Sequence, residues 1–182
     1  MQKSNLFNIL ILPPKASIIL YMKLILIRHG KTKEDNVILG HLPGHLSEIG
    51  KEEAKRIAKT IKTSKLNPEI IISSNLNRAK ETSEIISQEI KIPIEFSNLI
   101  IERGGGIVEG KKDEDAEEFL NKILDKPYKS ILIVPHNVFL CMLLSVYYEL
   151  PIKEALQYNL KNKVLILDTD KKTGVVELPL LS

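Results

Sequence analysis

Residues 24–27 are Leu-Ile-Leu-Ile, and the run stops at Arg28, His29 and Gly30. Four consecutive aliphatic residues with no polar alternation fit a strand covered on both faces, which is the environment of a central strand in a parallel sheet. Residues 131–134, Ile-Leu-Ile-Val, repeat the pattern and stop at Pro135 and His136. In parallel α/β sheets ligands gather beyond the carboxyl ends of such strands. Arg28, His29 and His136 are therefore candidate site residues. Taken alone, a histidine at a strand end is more often a hydrogen-bonded surface or core residue than a nucleophile.

Between and around these runs the pattern alternates strand and helix. Ser47 is a candidate N-cap for a helix whose apolar stripe is Ala54, Ile57, Ala58 and Ile61. A short β-branched run at 70–72 ends at Ser73 and Ser74, and a second helix follows with Leu76, Ala79, Ile85, Ile86 and Ile90 on its apolar face. Residues 92–96 read as a further strand. Asp113, Glu114 and Asp115 suit the start of a third helix, and Lys122 and Lys126 its end, each opposing the helix dipole. Residues 138–148 form a largely apolar helix, and Pro151 opens another. The segments 164–167 and 175–178 read as an antiparallel hairpin. The predicted fold is a three-layer α/β/α sandwich with a mainly parallel central sheet and an antiparallel edge strand.

Length and composition fit one domain: 182 residues with 43% hydrophobic content suffice for one well-buried core. We expect residues 22–182 to form it. Residues 1–21 form an N-terminal extension whose two apolar patches are too short to span a bilayer. Met22 directly precedes the first strand and is a candidate natural start. The net charge of +3 arises from 26 basic and 23 acidic residues mixed at helical spacing, which is not the basic stripe that nucleic acid requires. The single cysteine, Cys141, excludes an internal disulfide and a cysteine-rich zinc site. It reads as core packing in a reducing cytoplasm. No membrane or nucleic-acid partner is expected, and oligomeric state is left open.

Two further segments carry chemistry. In Ser73-Ser74-Asn75-Leu76-Asn77-Arg78-Ala79, a strand gives way to a helix N-terminus, a natural anion site, with Arg78 in the first helical turn. Its guanidinium is able to hold two phosphate oxygens; it also fits a surface arginine bridging a carboxylate. The second segment, Glu102-Arg103-Gly104-Gly105-Gly106, sets a carboxylate before a tightly turned loop.

In this order, the pieces resemble the histidine phosphatase superfamily, which includes the cofactor-dependent phosphoglycerate mutases. The resemblance runs from about residue 23 to about 178. Arg28-His29-Gly30 matches the hallmark triplet. Gly40, Leu46, Ser47 and Gly50 resemble the loop into the first helix. Ser73, Ser74, Arg78, Ala79 and Thr82 match the second motif, and Glu102, Gly106, Glu109 and Gly110 keep the spacing of the acid-bearing loop. The resemblance implies that His29 is a nucleophile carrying a phosphoryl group, and that Glu102 is the general acid and base. It implies that Arg28, Arg78 and His136 surround the phosphoryl oxygens, and that no metal or other cofactor takes part. The chain departs from the pattern at Pro135 and Asn137, which flank His136, and at Val108, which replaces a frequent aromatic. An asparagine that assists phosphate binding in relatives has Asp35 at its position, so Asn36, one residue late, is the candidate.

Only 33 residues separate Glu102 from His136, and a helix and a strand occupy most of them. The larger mutases carry a long insertion here and a C-terminal tail over the site, whereas this sequence ends four residues after its last predicted strand. An open site admits water, which favours a phosphatase acting on phosphomonoesters over a mutase. The expected partner is a small phosphorylated substrate or a phosphoprotein. A non-catalytic phosphate-binding or scaffold protein on the same fold is the reading from another class; it would retain the arginines without His29 or Glu102, and both are present.

Overall fold

The aliphatic runs at 24–27 and 131–134 lie side by side at the centre of one sheet. The computed structural model describes residues 22–34, 42, 44–102, 114–157, 163–169 and 176–178. Along the chain these form β1 (Lys23–Ile27), α1 (Glu48–Thr63), β2 (Ile70–Ser74), α2 (Asn77–Ile90), β3 (Ile94–Ser97), a 3-10 turn (Asn98–Ile100), α3 (Glu114–Leu124), β4 (Ser130–Val134), α4 (Asn137–Tyr148), α5 (Ile152–Ala155), β5 (Val164–Asp168) and β6 (Val176–Leu178). The strand order is β3-β2-β4-β1-β5-β6. The first four strands are mutually parallel, with Leu26 opposite Ile133 and Ser73 opposite Val134. The antiparallel direction enters at β5, beside β1, and β6 closes the edge as its hairpin partner.

Both sheet faces are covered, which is why the central strands read as unbroken apolar runs. On one face Ile57, Ala58 and Ile61 of α1 and Ala79 and Ile86 of α2 pack on Ile25, Ile27, Ile71, Leu132 and Val134. On the other, α3, α4 and α5 cover Leu24, Leu26, Ile72, Ile131 and Ile133 with Phe119, Phe139, Leu140 and Ala155 among others. These two layers of helix on one sheet make the predicted three-layer sandwich. Each fully buried aliphatic side chain contributes roughly 1.5–3 kcal/mol relative to exposure. Cys141 is part of this packing, and burial pushes its thiol up to about 11, so it behaves as a small apolar side chain.

The α1 stripe of Ala54, Ile57, Ala58 and Ile61 is buried as its spacing predicts. The α2 face differs. Ala79 and Ile86 are buried, but Leu76, Ile85 and Ile90 are only half-buried, and Arg78, Thr82 and Ser83 take the interior positions. A helix whose first turns line a polar site buries polar groups there, which apolar periodicity does not register. β3 starts at Ile94 rather than at 92, with Glu95 and Phe96 exposed on the sheet edge. Lys126 lies past the end of α3 and pairs with Glu95 at 2.8 Å. Asp113 and residues 1–21 lie outside the described residues.

One close approach ties α1 to the end of β1. Ser47 caps α1, its Oγ accepting from the Gly50 N–H at 3.1 Å, while the Ser47 N–H donates to Lys31 O at 2.9 Å. This brings the backbones around Gly30 and Gly50 together: a Cβ on Gly30 would lie 2.5 Å from Gly50 O, and one on Gly50 would lie 2.0 Å from Lys31 O. Neither position has room for a side chain. Gly50→Ala is expected to lower the unfolding free energy by about 1–3 kcal/mol, as overpacking against rigid backbone does. Ile49→Ala, at a position 55% exposed, is expected to change it by less than about 0.5 kcal/mol. Urea titration of the two variants checks the pair.

Candidate active site

Because β4 lies between β1 and β2, the residues that follow these three strands meet in one place. Arg28 and His29 follow β1, His136 follows β4, and Ser74 ends β2 with Arg78 one helical turn further on. The His29 N–H donates to Pro135 O at 3.4 Å, joining the ends of β1 and β4. The His29 and His136 rings lie 5.0 Å apart between centroids, tilted by 58°.

His29 is half-buried. Its Nδ1 lies 2.9 Å from Gly30 O, a carbonyl that only accepts, so Nδ1 carries the proton and donates. Nε2 is then the bare nitrogen, and the Arg78 Nε–H donates to it at 3.2 Å. Burial pushes the His29 pKa down to about 3; the Gly30 carbonyl opposes this, and the charges of Arg28 and Arg78 add to it. The ring is neutral near pH 7 with a lone pair on Nε2.

Arg78 is 2% exposed. Besides His29 it reaches the segment ahead of α1, donating from a terminal guanidinium nitrogen to Leu42 O at 3.0 Å. Its pKa is lowered by burial; the carboxylates of Glu102 and Glu34 offset that, and Arg28 adds to it. Arg28 has a buried Nε with no hydrogen-bond partner among the described residues, and Glu102 Oε1 and Glu34 Oε2 share that condition. A buried charged atom left without a hydrogen bond is costly, and an anionic ligand bearing an ionisable oxygen would supply one to Arg28 and to Glu102.

Glu102 arrives from β3 through the 3-10 turn. Its Oε2 lies 3.9 Å from His136 Nδ1, and the Val138 N–H at the start of α4 donates to its carboxylate. Burial raises its pKa; Arg78, Arg28 and the Val138 amide pull the other way and do not cancel the rise. His136 is fully buried, and its Nε2 lies 2.8 Å from Ser74 Oγ. Pro135 and Asn137 leave His136 within this cluster: the former contributes a carbonyl, the latter begins α4.

The structure therefore brings together His29, Arg28, Arg78, His136 and Glu102. Asn36 lies outside the described residues, as do Gly40 and the segment 103–110. Sequence reasoning gave no role to Ser74, Thr82 or Glu34, although the first two stand inside a recognised motif and the third two positions before Asn36. Among the described residues no group of metal-ligating side chains is assembled, and no helix is long and apolar enough to cross a membrane.

A histidine with a bare nitrogen, one buried and one half-buried arginine, a second histidine and a carboxyl of raised pKa, gathered at the ends of parallel strands, agree with what comparison with known proteins finds. A phosphoglycerate mutase of Candida albicans is 34% identical over 94 residues, which are 49% of this chain and 38% of that protein. A broad-specificity phosphatase of Saccharomyces cerevisiae is 24% identical over 106 residues, 56% of this chain and 46% of its own length. The chain thus spans less than half the length of these curated relatives. Among solved structures, YhfR of Bacillus stearothermophilus superposes with a TM-score of 0.73 at 24% identity, covering 88% of this chain and 98% of that one. The alpha-ribazole phosphatase of Shigella flexneri gives 0.70 at 20% identity, covering 88% and 96%. These likenesses establish the fold. The model of the histidine phosphatase superfamily (branch 1) matches residues 24–123, more than half of the sequence and a span that takes in His29, Arg78 and Glu102, and on that ground the chain belongs to this superfamily.

Proposed function

We propose that the protein is a metal-independent phosphomonoesterase that works through a phosphohistidine on His29. The observation that carries this reading is the state of His29: a neutral ring, its Nδ1–H fixed on the Gly30 carbonyl, its Nε2 lone pair facing the Arg78 guanidinium where a phosphoryl group would sit. On substrate entry the Arg78 N–H groups exchange His29 Nε2 for phosphoryl oxygens, which are stronger acceptors because they are charged. Arg28 and His136 approach the same oxygens and stabilise charge in a transfer that depends on positioning and electrostatics.

In the first step the Nε2 lone pair forms a bond to phosphorus as the bond from phosphorus to the ester oxygen breaks. The proton on Glu102 passes to that oxygen, and the alcohol leaves. In the second step a water oxygen attacks phosphorus, Glu102 takes its proton, the N–P bond breaks, and inorganic phosphate is released with His29 restored. A carboxyl of raised pKa suits a group that begins protonated. A dianionic phosphate beside Arg28 and Arg78 offsets the charges that hold the Glu102 pKa down, so binding raises it further.

Hydrolysis rather than phosphoryl return is supported by the short stretch between Glu102 and His136. α3 and β4 take 16 of those 33 residues, and the 17 that remain must join these elements to the rest of the fold as well as cover the site against water. The similarity to phosphoglycerate mutases gives the second reading, a mutase returning the phosphoryl group to bound glycerate. Phosphorus NMR with 3-phosphoglycerate and a trace of 2,3-bisphosphoglycerate separates the two: inorganic phosphate is the expected product, and 2-phosphoglycerate without phosphate release would establish the mutase.

His29→Ala is expected to abolish turnover and the acid-labile phosphoenzyme while leaving the far-UV circular dichroism unchanged; turnover at the parent rate would remove His29 from the reaction. Glu102→Gln is expected to slow alkyl phosphates far more than aryl phosphates with good leaving groups, since only the former need a proton at departure. Turnover of alkyl phosphates falls as pH rises through the elevated Glu102 pKa, because the proton donor is lost, and it falls on the acid side as His29 protonates toward about pH 3. A rate profile for aryl phosphates that keeps the acid limb and lacks the alkaline one would match this assignment.

A further inference from the structure

Two buried side chains that do not reach the phosphoryl pocket converge on the backbone beside the nucleophile. Thr82 lies on α2 and is fully buried. Its hydroxyl donates to Arg78 O at 2.6 Å, the ordinary i−4 bond of a helical threonine. The hydroxyl has one proton, so the oxygen is left to accept, and it accepts the Gly30 N–H at 3.1 Å from 52 residues away. Glu53 lies on α1 and is 4% exposed. Its Oε2 accepts the Lys31 N–H at 2.8 Å.

These two bonds fall on the two peptide groups that flank Gly30. Thr82 holds the peptide joining His29 to Gly30. Glu53 holds the next one, whose carbonyl is the Gly30 oxygen that accepts from His29 Nδ1 at 2.9 Å. The N–H and C=O of one peptide are rigidly opposed, so fixing the Lys31 N–H on Glu53 aims the Gly30 carbonyl at the ring. Glycine has the widest backbone freedom, and without both anchors this carbonyl has other orientations open to it. The bonds through Thr82 also close a circuit: Gly30 N–H to Thr82, Thr82 to Arg78 O, Arg78 Nε–H to His29 Nε2, and His29 Nδ1–H to Gly30 O. Within each pair that shares a group, the two bonds on the Thr82 hydroxyl and the two on the His29 ring, the donors point the same way and one bond polarises the next.

We propose that Thr82 and Glu53 are positioning residues for His29: by clamping the two peptides of Gly30 they hold the imidazole in its Nδ1–H form, with Nε2 as the bare nitrogen. The proposal builds on the reading of His29 as nucleophile but concerns the ring itself, so the two can fail separately.

The test is nitrogen-15 NMR of the imidazole in the full-length protein near pH 7, paired with the rate of phosphoenzyme formation from an aryl phosphate. In the parent protein, His29 is expected to show a protonated Nδ1 and a bare Nε2; an Nε2–H ring there overturns the proposal without any variant. Thr82→Val and Glu53→Leu keep side-chain bulk and remove the acceptors. Each is expected to populate the Nε2–H form and to slow phosphoenzyme formation by roughly tenfold or more, the scale of one lost buried hydrogen bond. Thr82→Ser and Glu53→Gln retain an acceptor oxygen and are expected to behave as the parent. A structural role alone would lower the melting temperature of the first pair and leave the ring signals where they were, and that result overturns the proposal. If either variant fails to fold, the comparison of parent with Thr82→Ser and Glu53→Gln still decides, because a changed ring form in variants that keep the acceptor is incompatible with it. A parent protein that shows the expected ring form but never becomes phosphorylated would overturn the phosphatase reading and leave the positioning role supported.

Discussion

The parallel pairing of β1 and β2 on either side of β4 is the constraint on which the rest depends. With Leu26 opposite Ile133 and Ser73 opposite Val134, three chain ends leave the sheet at one level. One of them carries His29, one His136, and one the turn into Arg78. No long-range recognition among these side chains is needed to assemble them. The register of three strands, buried on both faces, does it.

The site built on that platform is a set of buried charges whose hydrogen-bonding capacity is not used up among the described residues. Arg78 is buried and offset by two carboxylates, Arg28 and Glu102 retain buried atoms without a partner among the described residues, and His29 stays neutral because burial disfavours its charged form and Arg28 and Arg78 add to that. Such a cluster is held in place by the core around it rather than by its own attractions. Strain of this kind is usual where a ligand completes the arrangement.

The strand ends were legible because a strand covered on both faces has a sequence signature of its own, and so were His29 and His136, which stop the two runs. The stripe of α1 was legible for the same reason of periodicity. The interior of α2 was not, because Arg78 and Thr82 are polar groups buried beside the site and not by the apolar core. Glu102 was readable only as one member of an ordered set, since a carboxylate before three glycines carries no geometry by itself. The contact between Ser74 and His136, and those of Thr82 and Glu53 with the backbone at Gly30, join residues 22 to 62 positions apart. A hydroxyl or a carboxylate has too many local uses for sequence to reveal which distant partner it takes.

Arg78 grips two things at once: the bare nitrogen of His29 and the carbonyl of Leu42 in the segment ahead of α1. The guanidinium is planar and rigid, so its two grips cannot be adjusted independently. A ligand that draws the Nε–H away from His29 also turns the nitrogen that holds Leu42. The orientation of one rigid group thus ties the ring of His29 to the carbonyl of Leu42.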